Sequence, residues 1–193
     1  ITALLRDWVV PVLGGDVSRF YLAGQSMGGH GAWIYAAQQP RLFAALVVVC
    51  GYAQGEDEAR MIAERLARHR LPVAIYHSAD DSVIPVVAAD QMASQLKLSG
   101  YSSTFPAELA DTSDVERGRG LVRGVTLRYV RYTTAPGPPM PEFAQLIGHG
   151  SYELAFRDAS LYQWLLSQQC TKCAARPLPL WASLSATPDA NEW

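Results

Sequence analysis

The sequence predicts an α/β fold in which a mostly parallel sheet is covered by helices on both faces. Segments with strand character alternate with segments of helical periodicity along most of the 193 residues, and most connections between them are short. Residues 42–50 form a nearly continuous, valine-rich apolar run, which is typical of a strand buried on both faces. Such alternation builds right-handed strand–helix–strand units, and these units form one parallel sheet between two layers of helices.

Local patterns define the elements in chain order. An apolar pattern of helical spacing opens the chain, at positions 1, 4, 5, 8, 9 and 12. The predicted strands then comprise residues 19–23, 42–50, 72–76 and 125–132. The predicted helices comprise residues 30–39, 56–70, 87–98 and 152–168. Two predicted loops, residues 101–124 and the proline-rich residues 133–140, are longer than usual connections and are expected to flank the functional site.

The composition is that of an ordinary globular protein of one domain. Hydrophobic residues make up 49% of the chain, the formal net charge is −2 and the isoelectric point is near 6.1. This charge gives no support to nucleic-acid binding, and the longest apolar run is too short to cross a bilayer, which takes about 20 residues. A basic stretch directly follows acidic residues and is predicted to be a solvated surface, at Arg117, Arg119, Arg123, Arg128 and Arg131.

The three cysteines exclude a dense disulfide framework. Cys50 ends an apolar strand and is interpreted as an inert core thiol. Cys170 and Cys173 have the spacing of half a zinc site or of a redox pair, but no second pair of Cys or His follows them. We therefore predict neither a metal site nor a redox role, and no cofactor.

The strand before residue 24 ends abruptly in Gly24-Gln25-Ser26-Met27-Gly28 and leads into a helix. A serine at the tip of such a turn is held in a strained conformation, and glycines two residues on either side let neighbouring elements approach closely. Ser26 is therefore the predicted nucleophile. The backbone N–H of Met27, at the helix N-terminus, is the predicted donor to an oxyanion. A glycine-rich turn with an incidental serine is the alternative.

A serine nucleophile needs a base, and the base needs a carboxylate that orients it. In hydrolases with a parallel sheet the order along the chain is Ser, acid, His. Asp80 and Asp81 directly follow the strand at 72–76; Asp81 is the preferred acid and Asp80 the second choice. A capping role for such an aspartate is the alternative. His149, between two glycines after the last strand, is the predicted base, with a mobile and accessible ring.

The other three histidines have plainer interpretations. His30 precedes the acid in the chain and would require a different order of the triad. His69 ends a predicted helix, where a partly charged imidazole interacts favourably with the helix dipole. His77 lies at the end of a strand and is predicted to order the following loop through a hydrogen bond.

Three blocks of this chain resemble the α/β-hydrolase superfamily, in the esterase branch that includes polyhydroxybutyrate depolymerase-like, feruloyl esterase-like and dienelactone hydrolase-like enzymes. They are GQSMGGHGAW from residue 24, HSADDSVIPV from residue 77, and GHGSY from residue 148 leading to LYQWLL from residue 161. In that family the acid lies four residues before the proline, which matches Asp81. The family's His-x-Ser-Trp pattern departs here, because Tyr152 replaces the tryptophan.

The resemblance also implies how the domain is organised. Family members have several strands before the nucleophile strand, and a loop there carries the second oxyanion donor. Residues 1–168 are therefore expected to be the C-terminal part of an α/β-hydrolase domain, truncated at its N-terminus, with an unpaired apolar sheet edge. Residues 169–193 are expected to be a flexible tail.

The function implied is that of a serine hydrolase that cleaves small or polymeric carboxylic esters through an acyl-enzyme intermediate, without a cofactor. Two alternatives remain open at this point. A serine peptidase of the same superfamily would use the same chemistry on amides, and a non-catalytic hydrolase-like module would use the fold for binding.

Overall fold

The computed structural model describes residues 1–103 and 125–174, and its centre is a sheet of five parallel strands. The strands are β1 (Tyr21–Gln25), β2 (Ala45–Val49), β3 (Val73–Ser78), β4 (Tyr101–Ser103) and β5 (Val125–Tyr132). The helices are α1 (Thr2–Leu4), α2 (Ser26–Gln38), α3 (Glu56–His69), α4 (Val87–Leu98), α5 (Ser151–Ala155), α6 (Ala159–Ser167) and α7 (Thr171–Ala174). The strand order is β1-β2-β3-β5-β4, and all neighbours are parallel. The predicted α/β fold is confirmed.

Alternating side chains of the strands divide the core into two clusters, one on each face of the sheet. On one face, Val48, Ile75 and Leu127 pack with apolar residues of α2, α3 and α4. On the other face, Val47 and Tyr76 pack with residues of α5 and α6. All five residues of β2 are buried, as the valine-rich run predicts. The sheet therefore has helices on both faces.

The final predicted helix is wrong in one respect, because it is two helices rather than one. α5 ends at Ala155 and α6 begins at Ala159. Asp158 precedes α6, and its carboxylate accepts a hydrogen bond from the backbone N–H of Ser160 at 2.8 Å. Asp158 thus acts as an N-cap, which satisfies a first-turn donor of α6 and separates the two helices.

Arg128 corrects the expectation of a solvated basic surface. Its side chain is 1% exposed, and one guanidinium nitrogen lies 2.9 Å from a carboxylate oxygen of Asp158. Another donates a hydrogen bond to the carbonyl of Ser160 at 2.9 Å. The carboxylate partner allows the strand to bury this charge. Arg131 lies at 3.7 Å from Asp90, and Arg117, Arg119 and Arg123 lie outside the described residues.

Cys170 and Cys173 are joined by a disulfide bond, which the sequence analysis did not predict. The segment that contains them packs on the domain, since the N–H of Cys170 donates to the carbonyl of Ser18 at 2.9 Å. Residues 169–174 therefore differ from the expected tail, and residues 175–193 lie outside the described residues.

The start of the chain is helical and partly exposed. α1 continues into a π-helical turn (Leu5–Val9), and Leu4 of α1 and Trp8 of the turn are mostly exposed. Within the described ranges, β1 pairs only with β2, so it forms an edge of the sheet as expected. None of the helices in these ranges is long and apolar enough to cross a membrane.

Candidate active site

The carboxyl ends of four strands meet at one edge of the sheet and carry the candidate site. β1 leads directly into Ser26, and β2 is followed by Cys50. β3 leads to the loop with Asp81, and β5 is followed by the segment that carries His149. Loops at this edge are where open α/β sheets bind their ligands.

The three side chains predicted for a triad lie in hydrogen-bonding contact. Nε2 of His149 is 3.0 Å from Oγ of Ser26, and Nδ1 of His149 is 3.1 Å from each carboxylate oxygen of Asp81. Ser26 and His149 are 123 residues apart in the sequence. The fold thus brings together residues that only the order of the motifs had related.

Ser26 occupies a strained backbone conformation at the strand-to-helix turn. Its φ is +49°, in the left-handed region that residues with a side chain rarely adopt, and such strain costs about 1–3 kcal/mol. The turn is held tight by Gly24, because a Cβ there would lie 2.2 Å from the carbonyl oxygen of Gly28. Close packing around the turn therefore keeps Ser26, which is half-buried, at its tip.

The glycine that supplies space on the helix side is not the one expected. A Cβ at Gly28 would meet no described atom within 4 Å, so this position is open. A Cβ at Gly29, in contrast, would lie 2.8 Å from Cα of Gly51, after β2. Gly29 therefore allows α2 to approach β2, while Gly28 contributes the carbonyl that packs on Gly24.

Met27 lies in the first turn of α2, where backbone N–H groups have no acceptor within the helix. Its side chain is 76% exposed, so the first turn faces solvent beside Ser26. The helix dipole places a partial positive charge at the same point. The Met27 amide thus has the surroundings expected of a donor to an oxyanion.

Asp81 is enclosed by hydrogen-bond donors. One carboxylate oxygen accepts the backbone N–H groups of Val83 and Ile84, each at 2.9 Å. The other lies 3.2 Å from Nε2 of His77 and 3.1 Å from Nδ1 of His149. Burial would raise the pKa of Asp81, but the hydrogen bonds from His77, Ile84, Val83 and His149 outweigh it and lower the pKa to about 2. This carboxyl is ionised at neutral pH.

Asp80, the second choice for the acid, has a different role in the loop. Its Oδ1 accepts the hydroxyl of Ser78 and, at 3.1 Å, the backbone N–H of Ala135. Asp80 therefore ties the end of β3 to the proline-rich segment after β5. Of the two neighbouring aspartates, Asp81 is the one in contact with His149.

The glycines beside His149 serve close packing, which corrects the expectation of a mobile ring. Gly148 has a φ of +80°, and a Cβ there would lie 2.4 Å from backbone atoms of Asp80 and Asp81. A Cβ at Gly150 would lie 2.5 Å from the carbonyl oxygen of Pro136. His149 itself is 9% exposed. The two glycines therefore let the histidine segment press against the acid loop.

The proline-rich loop supports this segment, as its predicted position implied. The carbonyls of Ala135 and Pro136 accept the backbone N–H groups of Gly148 and Gly150, at 3.0 and 2.8 Å. The predicted loop at 101–124 begins as β4, and residues 104–124 lie outside the described residues.

Cys50 lies beneath the site at the end of β2. Its Sγ is 3.8 Å from the backbone carbonyl of His149, and burial raises the pKa of its thiol to about 11. Potential metal-ligand atoms of Cys50, Asp81 and His149 lie within 4.8 Å of one another. Zinc binds the thiolate form of cysteine, and this thiol is protonated, while the Asp81 and His149 atoms already bond each other. The arrangement therefore fits an inert core thiol beneath a hydrogen-bonded pair.

The remaining histidines lie apart from Ser26. Nε2 of His30 bonds to Glu58 at 3.1 Å, and its ring stacks on Tyr52. The expectation of a partly charged His69 is corrected, because burial and nearby positive charges, Arg41 among them, lower its pKa. His77 does order the loop, through the carbonyl of Ile84 at 2.9 Å. Its contact with Asp81 was missed, although the four-residue spacing across a strand end was a signal for it.

Comparison with known proteins adds a family and a fold. A family model described as "Putative esterase" matches residues 5–118, which include Ser26 and Asp81. A solved protein, "Crystal Structure of a Thermostable Esterase", is similar with a TM-score of 0.52 and 24% sequence identity, over 80% of this chain and 32% of that chain. No curated protein matches. The chain thus spans about a third of the solved structure, and the likeness to it shows the fold alone.

Proposed function

This chain belongs to the esterase family, and from that premise we propose that it is a serine hydrolase that cleaves carboxylic esters through an acyl-enzyme intermediate. The observation that carries the proposal is the unbroken hydrogen-bonded chain from Ser26 through His149 to Asp81. Each member has the environment that its role requires. The nucleophile is half-buried on a strained turn, the base is nearly buried, and the acid is ionised.

In the first step, Oγ of Ser26 attacks the ester carbonyl while Nε2 of His149 accepts the serine proton. Asp81 bonds to Nδ1–H of His149, so it selects the tautomer whose Nε2 lone pair faces the serine. The negative charge that forms on the carbonyl oxygen is stabilised by the N–H of Met27. One such donor contributes about 3 kcal/mol to the stability of a transition state.

Collapse of the tetrahedral intermediate breaks the bond to the alcohol, which takes its proton from His149. A water then attacks the acyl-serine ester while His149 accepts its proton. His149 returns this proton to Oγ of Ser26 as the acyl–oxygen bond breaks, so the carboxylic acid product leaves and the serine is regenerated. All proton transfers pass through one imidazole, so the reaction needs no metal or redox cofactor. An amide substrate would follow the same steps, and a peptidase is therefore the second activity to assay.

Labelling with a fluorophosphonate probe tests the proposal, because such probes react with activated serines. We expect label on Ser26, located by peptide mapping, and none on Ser26→Ala. Ser82→Ala is the matched control, since Ser82 is exposed on the acid loop and its contact with Ile147 uses only its backbone N–H. It should label as well as the unchanged chain.

Two results would count against the proposal. Equal labelling of Ser26→Ala would show that another residue reacts, and no labelling of any variant would favour a non-catalytic binding module. For a labelled protein, p-nitrophenyl esters and peptide amides compared side by side assign the substrate class. Faster turnover of amides than of esters would show that the protein acts as a peptidase rather than as an esterase.

A further inference from the structure

His77 is a buried histidine that makes two polar contacts through one ring nitrogen. It is the penultimate residue of β3, and its side chain has no exposed surface. Nε2 lies 2.9 Å from the carbonyl oxygen of Ile84 and 3.2 Å from Oδ2 of Asp81. In the part of the chain that is described, Nδ1 has no hydrogen-bond partner. All polar contacts described for the ring are therefore made by Nε2.

Both neighbours of Nε2 are acceptors, so Nε2 carries a hydrogen atom and His77 is the donor in both contacts. Its shorter contact is a hydrogen bond to the carbonyl of Ile84, and its longer contact, at 3.2 Å, brings the same nitrogen close to Oδ2 of Asp81.

The contacts of Asp81 divide between its two oxygens. Backbone N–H groups of Val83 and Ile84 hold Oδ1, whereas only the two histidines contact Oδ2 in the described structure. Without His77, His149 would be the only described residue in contact with Oδ2 of Asp81. The carboxylate could then rotate away from the position in which both its oxygens lie 3.1 Å from Nδ1 of His149.

We propose that His77 is a positioning residue that fixes the Asp81 carboxylate against His149 and links it to the acid loop through Ile84. This inference rests on the proposed function. His77 acts through Asp81 and does not contact Ser26, so its effect belongs to the rate of the chemical step rather than to substrate binding. A small displacement of such a group lowers a rate by about 10- to 100-fold.

A double-mutant cycle tests this role on the hydrolysis of p-nitrophenyl acetate. His77→Leu removes the donor, and His77→Gln keeps an N–H in a side chain of similar length. We expect His77→Leu to lower kcat about 10- to 100-fold with little change in KM, and His77→Gln to recover most of the loss. In Asp81→Asn, His77→Leu should cause no further loss, because the group through which it acts is already altered.

Proton NMR supplies a readout that does not depend on turnover. The His149 Nδ1–H proton bonded to Asp81 should give a strongly downfield resonance, which should shift or broaden in His77→Leu and be largely restored in His77→Gln. His30→Gln is the control, because His30 bonds to Glu58 instead, and it should leave this resonance unchanged.

The outcomes separate this inference from the proposed function. Equal losses in His77→Leu and His77→Gln, with an unaltered NMR resonance, would reduce His77 to a packing role. A full His77→Leu loss that persists in Asp81→Asn would also overturn the inference, because the effect would not pass through Asp81. If the unchanged chain fails to label at Ser26, the proposed function fails, and the NMR comparison still decides whether His77 holds Asp81.

Discussion

Two carboxylates that are largely shielded from solvent, Asp81 and Asp158, pair with nitrogen side chains at different places on the same sheet. Asp158 bonds to Arg128 in the middle of β5, and Arg128 also bonds to the carbonyl of Ser160 near the start of α6. Asp81 bonds to His149 beyond the strand ends, and His149 reaches on to Ser26. A guanidinium keeps its charge, whereas an imidazole can gain and lose a proton.

The two pairs differ in what the nitrogen side chain contacts besides its carboxylate. The Arg128 guanidinium donates to the carbonyl of Ser160 and to Asp158, and it lies over the ring of Tyr76 at 5.5 Å. These contacts fasten the start of α6 to the sheet. In the other pair, Nε2 of His149 lies 3.0 Å from the hydroxyl of Ser26, which is half-buried. We infer that the first pair stabilises the fold and that the second serves the reaction, at a cost in backbone strain.

The largest expected effect is that of Asp81→Asn on catalysis. An amide at this position can bind the wrong tautomer of His149, which would turn the Nε2 lone pair away from Ser26. We expect kcat for an ester substrate to fall about 10⁴-fold. Thermal unfolding should change far less than activity. If Asp81→Asn keeps more than a tenth of the rate, Asp81 has no large part in the reaction, and the two pairs do not differ in the way described above.

Arg128→Met should show the opposite pattern. It leaves the mostly buried carboxylate of Asp158 without the Arg128 guanidinium, which typically lowers the free energy of unfolding by about 3–5 kcal/mol. Measured at a temperature where the variant is folded, kcat and KM should be nearly unchanged.

The control for this prediction is Arg157→Met. Arg157 pairs with Glu153 at 2.6 Å, but its side chain is 80% exposed, so the loss of stability should stay below about 1 kcal/mol. Chemical denaturation of the two variants provides the comparison. Equal losses would mean that burial does not distinguish Arg128, and a large fall in kcat for folded Arg128→Met would give this pair a part in the reaction.

The smallest effect concerns acid stability. The pKa of Asp81 is about 2 in the folded protein and near 3.8 without its partners, so the unfolded chain binds this proton first as the pH falls. Its stabilising contribution is complete above about pH 4 and is lost as the pH approaches 2. Unfolding free energies of the unchanged chain should therefore decline more steeply over this range than those of Asp81→Asn. Parallel curves would contradict the lowered pKa.

The sequence was sufficient for the fold class and for the juxtaposition of three side chains. Burial in a parallel sheet is nearly continuous along each strand, so the apolar runs of β2 and β3 stand out in the sequence. The order of strands then brings their carboxyl ends to one edge. For this reason Ser26, Asp81 and His149 could be selected from motifs that are far apart in the chain.

What the sequence did not predict depends on contacts between distant residues. The break before α6 has a local cause, the N-cap Asp158, whose carboxylate is also held by a distant contact with Arg128, thirty residues earlier. The need for Gly29 comes from its approach to Gly51 across two elements. No local pattern encodes either contact, and a charged residue in a strand is equally compatible with a solvated surface.

The distance of 123 residues between Ser26 and His149 has a consequence for how the protein folds. Closing so long a loop is slow compared with forming a helix or a single strand–helix–strand unit. The Ser26–His149 hydrogen bond can form only after β1, β3 and β5 have found their neighbours. We therefore expect the reactivity of Ser26 to be among the last native properties to return during refolding. The rate at which Ser26 becomes reactive would then report how fast the sheet is completed.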